Sequence, residues 1–446
     1  MMRSSRLTAT RFGRWSAWLL GLLLSASVGA QTSDSLDWGK DDSWGDDPWA
    51  ADSQGWQWFG FIEGAWAERI NNDPLLDDDQ TVAEIRAQLE TERVFEDYTV
   101  VAKADVWGDA LEDNTQADLR ELHFDTTLGE QIDIRAGRQV LTWGTGDLVF
   151  LNDLFPKDYP AFFGGRDNEY LKAPTDAIKL SWYGDLSIDF VWLPRANPNR
   201  FIAGERLSCF SPRQGTHVAA PPKLDPIERD ALIDDSELAL RIYQTVNGVE
   251  YAGYAYKGYD KQPSGFNTQQ NKAYFPRLEV FGASIRRSAF DGIVNAETAY
   301  HGAADSNGDD PNQPNSQWRF LAGYEHEPVS NLTLGWQYYL EWTQDHAALI
   351  RSLPQDQTAF ATDEYRHVLT NRLTWQLLRQ DLTLSMFTFF SPSDADYYLR
   401  PRAEYRISDQ LTGTLGGNVF GGEDDWTFYS QLENNSNVYA RLRYQF

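Results

Sequence analysis

The feature that most constrains this chain is a two-residue alternation of apolar and polar side chains that recurs along it. Leu332, Leu334, Trp336, Tyr338, Leu340 and Trp342 alternate with Thr333, Gly335, Gln337, Tyr339 and Glu341. Ile85, Ala87 and Leu89 alternate with Glu84, Arg86, Gln88 and Glu90. Leu382, Leu384, Met386 and Phe390 repeat the pattern, as do Val438, Ala440, Leu442, Tyr444 and Phe446. A period of two is the side-chain repeat of a β-strand. Eighteen such segments begin near Gln57, Thr81, Tyr98, Asp118, Ile132, Asp176, Leu186, Glu237, Val249, Tyr274, Gly292, Ser316, Leu332, Glu364, Leu382, Ala395, Leu411 and Asn437.

Their connections alternate between short and long. The short ones lie at Glu96-Asp97, Gly129-Glu130, Gly184-Asp185, Asn247-Gly248, Asp291-Gly292, Ser330-Asn331, Arg379-Gln380 and Ser408-Asp409. Several are hairpin-turn dipeptides. The long ones cover 71–80, 108–117, 142–175, 194–236, 258–273, 302–315, 343–363 and 421–436. Alternating segments of about ten residues, with short turns at one end and long loops at the other, are the signature of a transmembrane β-barrel. The expected fold is all-β, an antiparallel up-and-down barrel over 57–446 with about 18 strands (range roughly 14–18). An even strand number returns both termini to the short-turn side, which is periplasmic in such barrels. A sandwich or propeller also alternates, but no blade-length repeat is present.

Aromatic residues make up 14% of a chain whose mean hydropathy is −0.53. A lipid-facing apolar band with aromatic girdles around a polar lumen accounts for both. The formal charge of −27 speaks against nucleic acid as a partner. A single cysteine, Cys209, and six scattered histidines leave no disulfide framework and no metal-ligand spacing, so neither a metal nor a cofactor is expected. Arg3, Arg6, Arg11 and Arg14, then the apolar run Trp15 to Leu24 and the small residues Val28-Gly29-Ala30, read as a cleaved secretory signal over 1–30. Removing it leaves 35 basic and 66 acidic residues, a charge of −31. Residues 31–56 are rich in Asp and Trp and poor in aliphatics, and read as an unfolded acidic periplasmic arm able to meet a periplasmic partner.

The closing run Val438-Tyr439-Ala440-Arg441-Leu442-Arg443-Tyr444-Gln445-Phe446 resembles the last strand of Gram-negative outer-membrane barrels. With the leader and the hairpin pattern, the chain resembles the porin-type superfamily. Gly137-Arg138-Gln139-Val140-Leu141-Thr142-Trp143-Gly144 is similar to a strand end of several porin-like and alginate-export-like barrels. The resemblance implies an outer-membrane location among lipid and lipopolysaccharide. It further implies an assembly machinery that reads the terminal Phe446, and a third long loop folded into the pore.

That third connection, 142–175, carries Leu148, Val149, Phe150, Leu151, Leu154, Phe155, Phe162, Phe163 and Leu171, too apolar a set for a solvated loop. It also presents Asp147, Asp153, Asp158, Arg166, Asp167 and Glu169. The water-facing parity makes one wall acidic, with Glu84, Glu90, Glu92, Asp105, Glu121, Asp125 and Asp133 against Arg86, Lys103 and Arg135. Another wall is basic, with Arg366, Arg372, Arg400, Arg402, Arg406, Arg441 and Arg443 against Glu404. Charged walls set the selectivity of pores. We expect Asp147, Asp153 and Asp158 to face Arg402, Arg406, Arg441 and Arg443 at the narrowest point, giving weak ion selectivity. The function that fits is passive diffusion of small hydrophilic solutes, without catalysis. An export or conduit barrel serving a polymer or a periplasmic partner is the alternative. An outer-membrane hydrolase would need a nucleophile near His123, since enzyme motifs such as GxSxG are absent.

Overall fold

The computed structural model describes residues 55–446. The expected leader over 1–30 and all but the last two residues of the arm at 31–56 lie outside them. Eighteen long strands form the fold. They are β1 (Gln57–Arg69), β2 (Gln80–Val94), β3 (Tyr98–Asp109), β4 (Asn114–Leu128), β5 (Ile132–Gln139) and β6 (Thr175–Trp182). Next come β7 (Ser187–Leu193), β8 (Glu237–Val246), β9 (Val249–Tyr259), β10 (Arg277–Ala289), β11 (Gly292–Ala303) and β12 (Gln317–Val329). The last six are β13 (Leu332–Thr343), β14 (Tyr365–Leu377), β15 (Leu382–Ser391), β16 (Asp396–Arg406), β17 (Leu411–Gly422) and β18 (Asn437–Gln445). Each pairs antiparallel with its sequence neighbour, and β1 pairs with β18 from Phe61↔Gln445 to Arg69↔Asn437. The sheet is therefore closed, without a free edge.

The turns explain the register. Val246 faces Val249 across Asn247 and Gly248, which both take positive φ (51° and 74°). That pair of angles matches the twist of a two-residue hairpin. Two strand starts differ from expectation by more than one residue. β4 begins at Asn114, so the second long connection shrinks to a four-residue turn over 110–113. β10 begins at Arg277, not Tyr274. Pro276 has no N–H to offer a ladder, and Tyr274 instead pairs with Gly265 in a small loop hairpin.

The alternation sorts by environment as a membrane barrel requires. Ile85, Leu89, Leu122, Leu238, Ile242, Phe281, Leu369, Leu415 and Leu442 are exposed on the outer face. Rings stack near strand ends, as Trp342 on Tyr365 (5.8 Å) and His326 between Tyr324 (5.1 Å) and Trp336 (5.4 Å). No helix among the described residues is long and apolar enough to cross a membrane. The buried apolar core lies inside the barrel. There Leu151, Phe155, Phe162, Phe163 and Leu171, from the segment between β5 and β6, pack on inward residues including Val191, Val280, Tyr339, Phe389 and Tyr398. Burying each such side chain stabilises the docked loop by roughly 1.5–3 kcal/mol.

Candidate functional site in the barrel lumen

The segment between β5 and β6, residues 140–174, crosses the lumen and is anchored on opposite walls. Its approach is set by Gly137, whose φ is +128° and whose hypothetical Cβ would lie 2.2 Å from the Leu122 carbonyl oxygen. Only glycine lets β5 pass β4 this closely. The buried Gln139 amide then donates to the carbonyls of Gly137 (3.2 Å) and Ala177 (3.0 Å).

The first half of the loop is held by β11, β13 and β14. The Glu297 carboxylate accepts from the backbone N–H groups of Thr145 and Gly146 (2.8 Å) and from the Asn152 amide (2.9 Å). Gln337 brackets Asp147, accepting from its N–H (2.6 Å) and donating to its carbonyl (2.8 Å). The Asp147 carboxylate meets Arg372 at 2.5 Å. Burial raises its pKa, and the Arg372 charge offsets only part of that.

The middle is held by itself and by the next long connection. Asp153 accepts from the Thr142 hydroxyl (2.8 Å) and pairs with the buried Lys157 (3.0 Å). Asp158 caps the short helix Tyr159–Gly164 by accepting from Ala161 N–H (2.9 Å), and pairs with Arg200 (3.1 Å). A carboxylate at a helix N-cap satisfies an orphan donor.

The second half meets the other walls. Arg166 pairs with Glu84 (2.7 Å), and Glu84 and Asp105 (3.1 and 2.8 Å) flank Arg86, which is 2% exposed. The Arg86 guanidinium lies over the rings of Trp107 (4.2 Å) and Tyr170 (4.7 Å). Asp167 pairs with Arg441 (2.8 Å) and Arg402 (3.7 Å), and Glu169 with Arg443 (3.2 Å). Arg443 also meets Glu63 of β1 at 2.8 Å. Burial alone would raise the Asp167 pKa, but the Arg441, Arg402 and Arg443 charges outweigh it and hold the carboxyl at about 2.

The ion pairs differ from the expected ones. Asp147, Asp153 and Asp158 do not face the arginines of β16 and β18; Asp147 meets β14, and the other two work inside the loop fold. The acids opposite that basic wall are Asp167, Glu169 and Glu63. Arg406 is exposed at the short-turn end, paired with Asp381 (2.6 Å), because its place at the end of β16 carries it out of the lumen. Glu90 pairs with Lys103 (3.2 Å), and Glu121 lies 3.2 Å from His123. His123 is also 3.3 Å from Asp125, which pairs with Arg135 (2.7 Å). Among the described residues no hydroxyl or thiol hydrogen-bonds to His123, and no group of three His, Cys, Asp or Glu side chains could hold a metal ion.

No protein-family model matches this sequence, and no curated protein matches it. The fold itself matches solved structures of Gram-negative outer-membrane porins. Pseudomonas aeruginosa OccK3 (OpdO) is 10% identical, with a TM-score of 0.54 over 88% of this chain and 95% of that one. Pseudomonas aeruginosa OccD3 (OpdP) is 8% identical, with a TM-score of 0.52 over 88% and 91%. Acinetobacter baumannii OccAB1 is 8% identical, with a TM-score of 0.52 over 88% and 96%. Residues 57–446 thus form a closed 18-strand antiparallel barrel, the fold these solved structures share, with one long loop pinned across its interior.

Proposed function

We propose that this chain is a channel of the Gram-negative outer membrane, through which small hydrophilic solutes diffuse passively along a narrow, charge-lined route beside loop 140–174. The observation that supports this most is the ion pairing on both sides of the loop. Glu297, Gln337 and Arg372 hold one half, and Arg402, Arg441, Arg443 and Glu84 hold the other. A segment fixed this way narrows a wide barrel. The pairing leaves little net charge in the middle, so the channel discriminates weakly between cations and anions. Selection is by width and wall polarity, and no chemical step is involved. In this reading the short turns and both termini are periplasmic, lipid and lipopolysaccharide surround the outer face, and Phe446 is the assembly signal. Deleting Leu148 to Gly165 should raise single-channel conductance in a planar bilayer several-fold. Unchanged conductance from a correctly folded deletion variant would refute the constriction.

A further inference from the structure

On the long-loop side of the inserted segment the barrel holds a cavity of about 530 Å³. Phe150, Leu154 and Phe162 of the inserted loop form one side, and Phe201, Ile202 and Cys209 of the β7–β8 connection the other. A volume of several hundred Å³ lined mainly by apolar and aromatic side chains is the character of a site for a drug-sized molecule. A route for ions alone requires no such lining.

The β7–β8 connection that carries Phe201, Ile202 and Cys209 is tied down on either side of Leu207, which holds that side of the cavity in place. Arg206 of that connection pairs with Glu112 (2.6 Å) and Asp109. The Ser208 hydroxyl donates to Asp73 (2.5 Å), and Ser208 N–H donates to Asn435 (3.2 Å).

Most charges in the wall are already matched; of the two lining groups that meet no opposite charge, Asp260 accepts from Gln262 N–H (3.0 Å) and the Ser264 hydroxyl (2.6 Å), and Arg277 lies over the Tyr259 ring (5.5 Å). Lys157 meets Asp153 (3.0 Å), Lys261 meets Glu237 (2.5 Å) and Arg366 meets Asp394 (2.6 Å). Arg319 and Arg366 both reach Glu341 (3.7 and 3.4 Å). Away from Asp260 and Arg277 an ionic solute entering here would lose its hydration without gaining a free counter-charge, which disfavours it. Two polar atoms do remain without a partner: the donor Nη2 of Arg366 and the acceptor Oδ1 of Asn315, both on residues lining the cavity. An unused buried donor and acceptor fit a hydroxyl or amide on the solute.

We infer that this vestibule binds an uncharged, ring-bearing solute carrying hydroxyl or amide groups before it reaches the inserted loop. The inference deepens the channel reading and rests on it, since the vestibule lies on the route that reading assigns.

Cys209, the chain's one cysteine, lines the vestibule and serves as a native reporter. The purified full chain in lipid nanodiscs would be alkylated with N-ethylmaleimide and followed by intact mass. Naphthyl β-D-glucoside should slow alkylation about fivefold at four times its Kd. Glucose should leave the rate unchanged, and naphthalene-2-sulfonate should slow it less than the glycoside does. Ile202→Asp should abolish the protection. So should Phe428→Ser, at a lining position that is 46% exposed. No protection, equal protection by glucose, sulfonate protection matching the glycoside's, or protection surviving both substitutions would each overturn the inference. Bilayer conductance of the same preparation separates the two readings. Conductance without protection removes the vestibule site alone. Protection without conductance supports the site and removes the channel.

Discussion

Asp167→Asn tests how firmly the inserted loop is held. The carboxylate is 19% exposed, lies 2.8 Å from Arg441 and keeps its pKa near 2 against an ordinary 3.8. A depressed carboxyl contributes stability that is present above its ordinary pKa and is lost as pH falls toward the depressed value. At neutral pH the difference corresponds to about 2 kcal/mol, or roughly 30-fold in the opening equilibrium of the loop. Asparagine is nearly isosteric and retains an oxygen for the Glu169 N–H (3.1 Å), so the charge is what changes. Hydrogen exchange by mass spectrometry, on peptides covering 158–172, should show roughly 30-fold faster exchange in the variant at pH 7, with β8 and β9 unaffected. At pH 3 the difference between the two proteins should fall by about half, because the unfolded-state carboxyl is then mostly protonated. Equal exchange at pH 7, or a difference that does not shrink at pH 3, would refute an ionic anchor at this position.

Glu297→Ala should free the start of the loop and increase open-channel noise in bilayer recordings, since three donors lose their shared acceptor; recordings indistinguishable from the parent would remove Glu297 as an anchor. Replacing Arg402, Arg441 and Arg443 together by Ala should leave Asp167, Glu169 and Glu63 unopposed and move the reversal potential toward cations; no movement would place the conducting route elsewhere. Cysteines at Asn247 or Asn331 should resist an impermeant thiol reagent added to whole cells while one at Asn312 reacts, and labelling at all three would reverse the orientation. Gly137→Ala should reduce the yield of heat-modifiable folded barrel, since its Cβ would sit 2.2 Å from the Leu122 carbonyl oxygen; an unchanged yield would show that β4 and β5 can separate.

The barrel was legible because a lipid-facing strand has only one place for its apolar side chains. Period two and turn dipeptides such as Asn247-Gly248 locate all eighteen strands, with the largest shift at β4. The site was legible only in part. Parity puts Arg441, Arg443 and Glu84 on the inner face, but parity does not say which loop acid lies opposite which wall. The partners of Asp153 and Asp158 are not legible because local roles are silent in composition: one holds Lys157, and the other caps a six-residue helix entered through Pro160. Glu297 was missed for the converse reason. Its partners at 144–152 lie more than a hundred residues away, and no spacing links them.

The seam between β1 and β18 bears on how such a chain is made. Phe446 N–H donates to the Gly60 carbonyl (3.0 Å) and Gly60 N–H donates back (3.1 Å). A Cβ on Gly60 would strike the Phe446 ring at 2.8 Å. The contact that closes the cylinder therefore joins residues 386 positions apart, the most sequence-distant pairing in the sheet. Until residues 437–446 have emerged, a thirteen-residue strand at one border and β17 at the other present unsatisfied backbone donors and acceptors. Such borders recruit foreign strands, and distant closure is slow. Until closure this chain therefore carries two ribbons of open ladder, and a truncation that removes β18 would leave both of them unpaired.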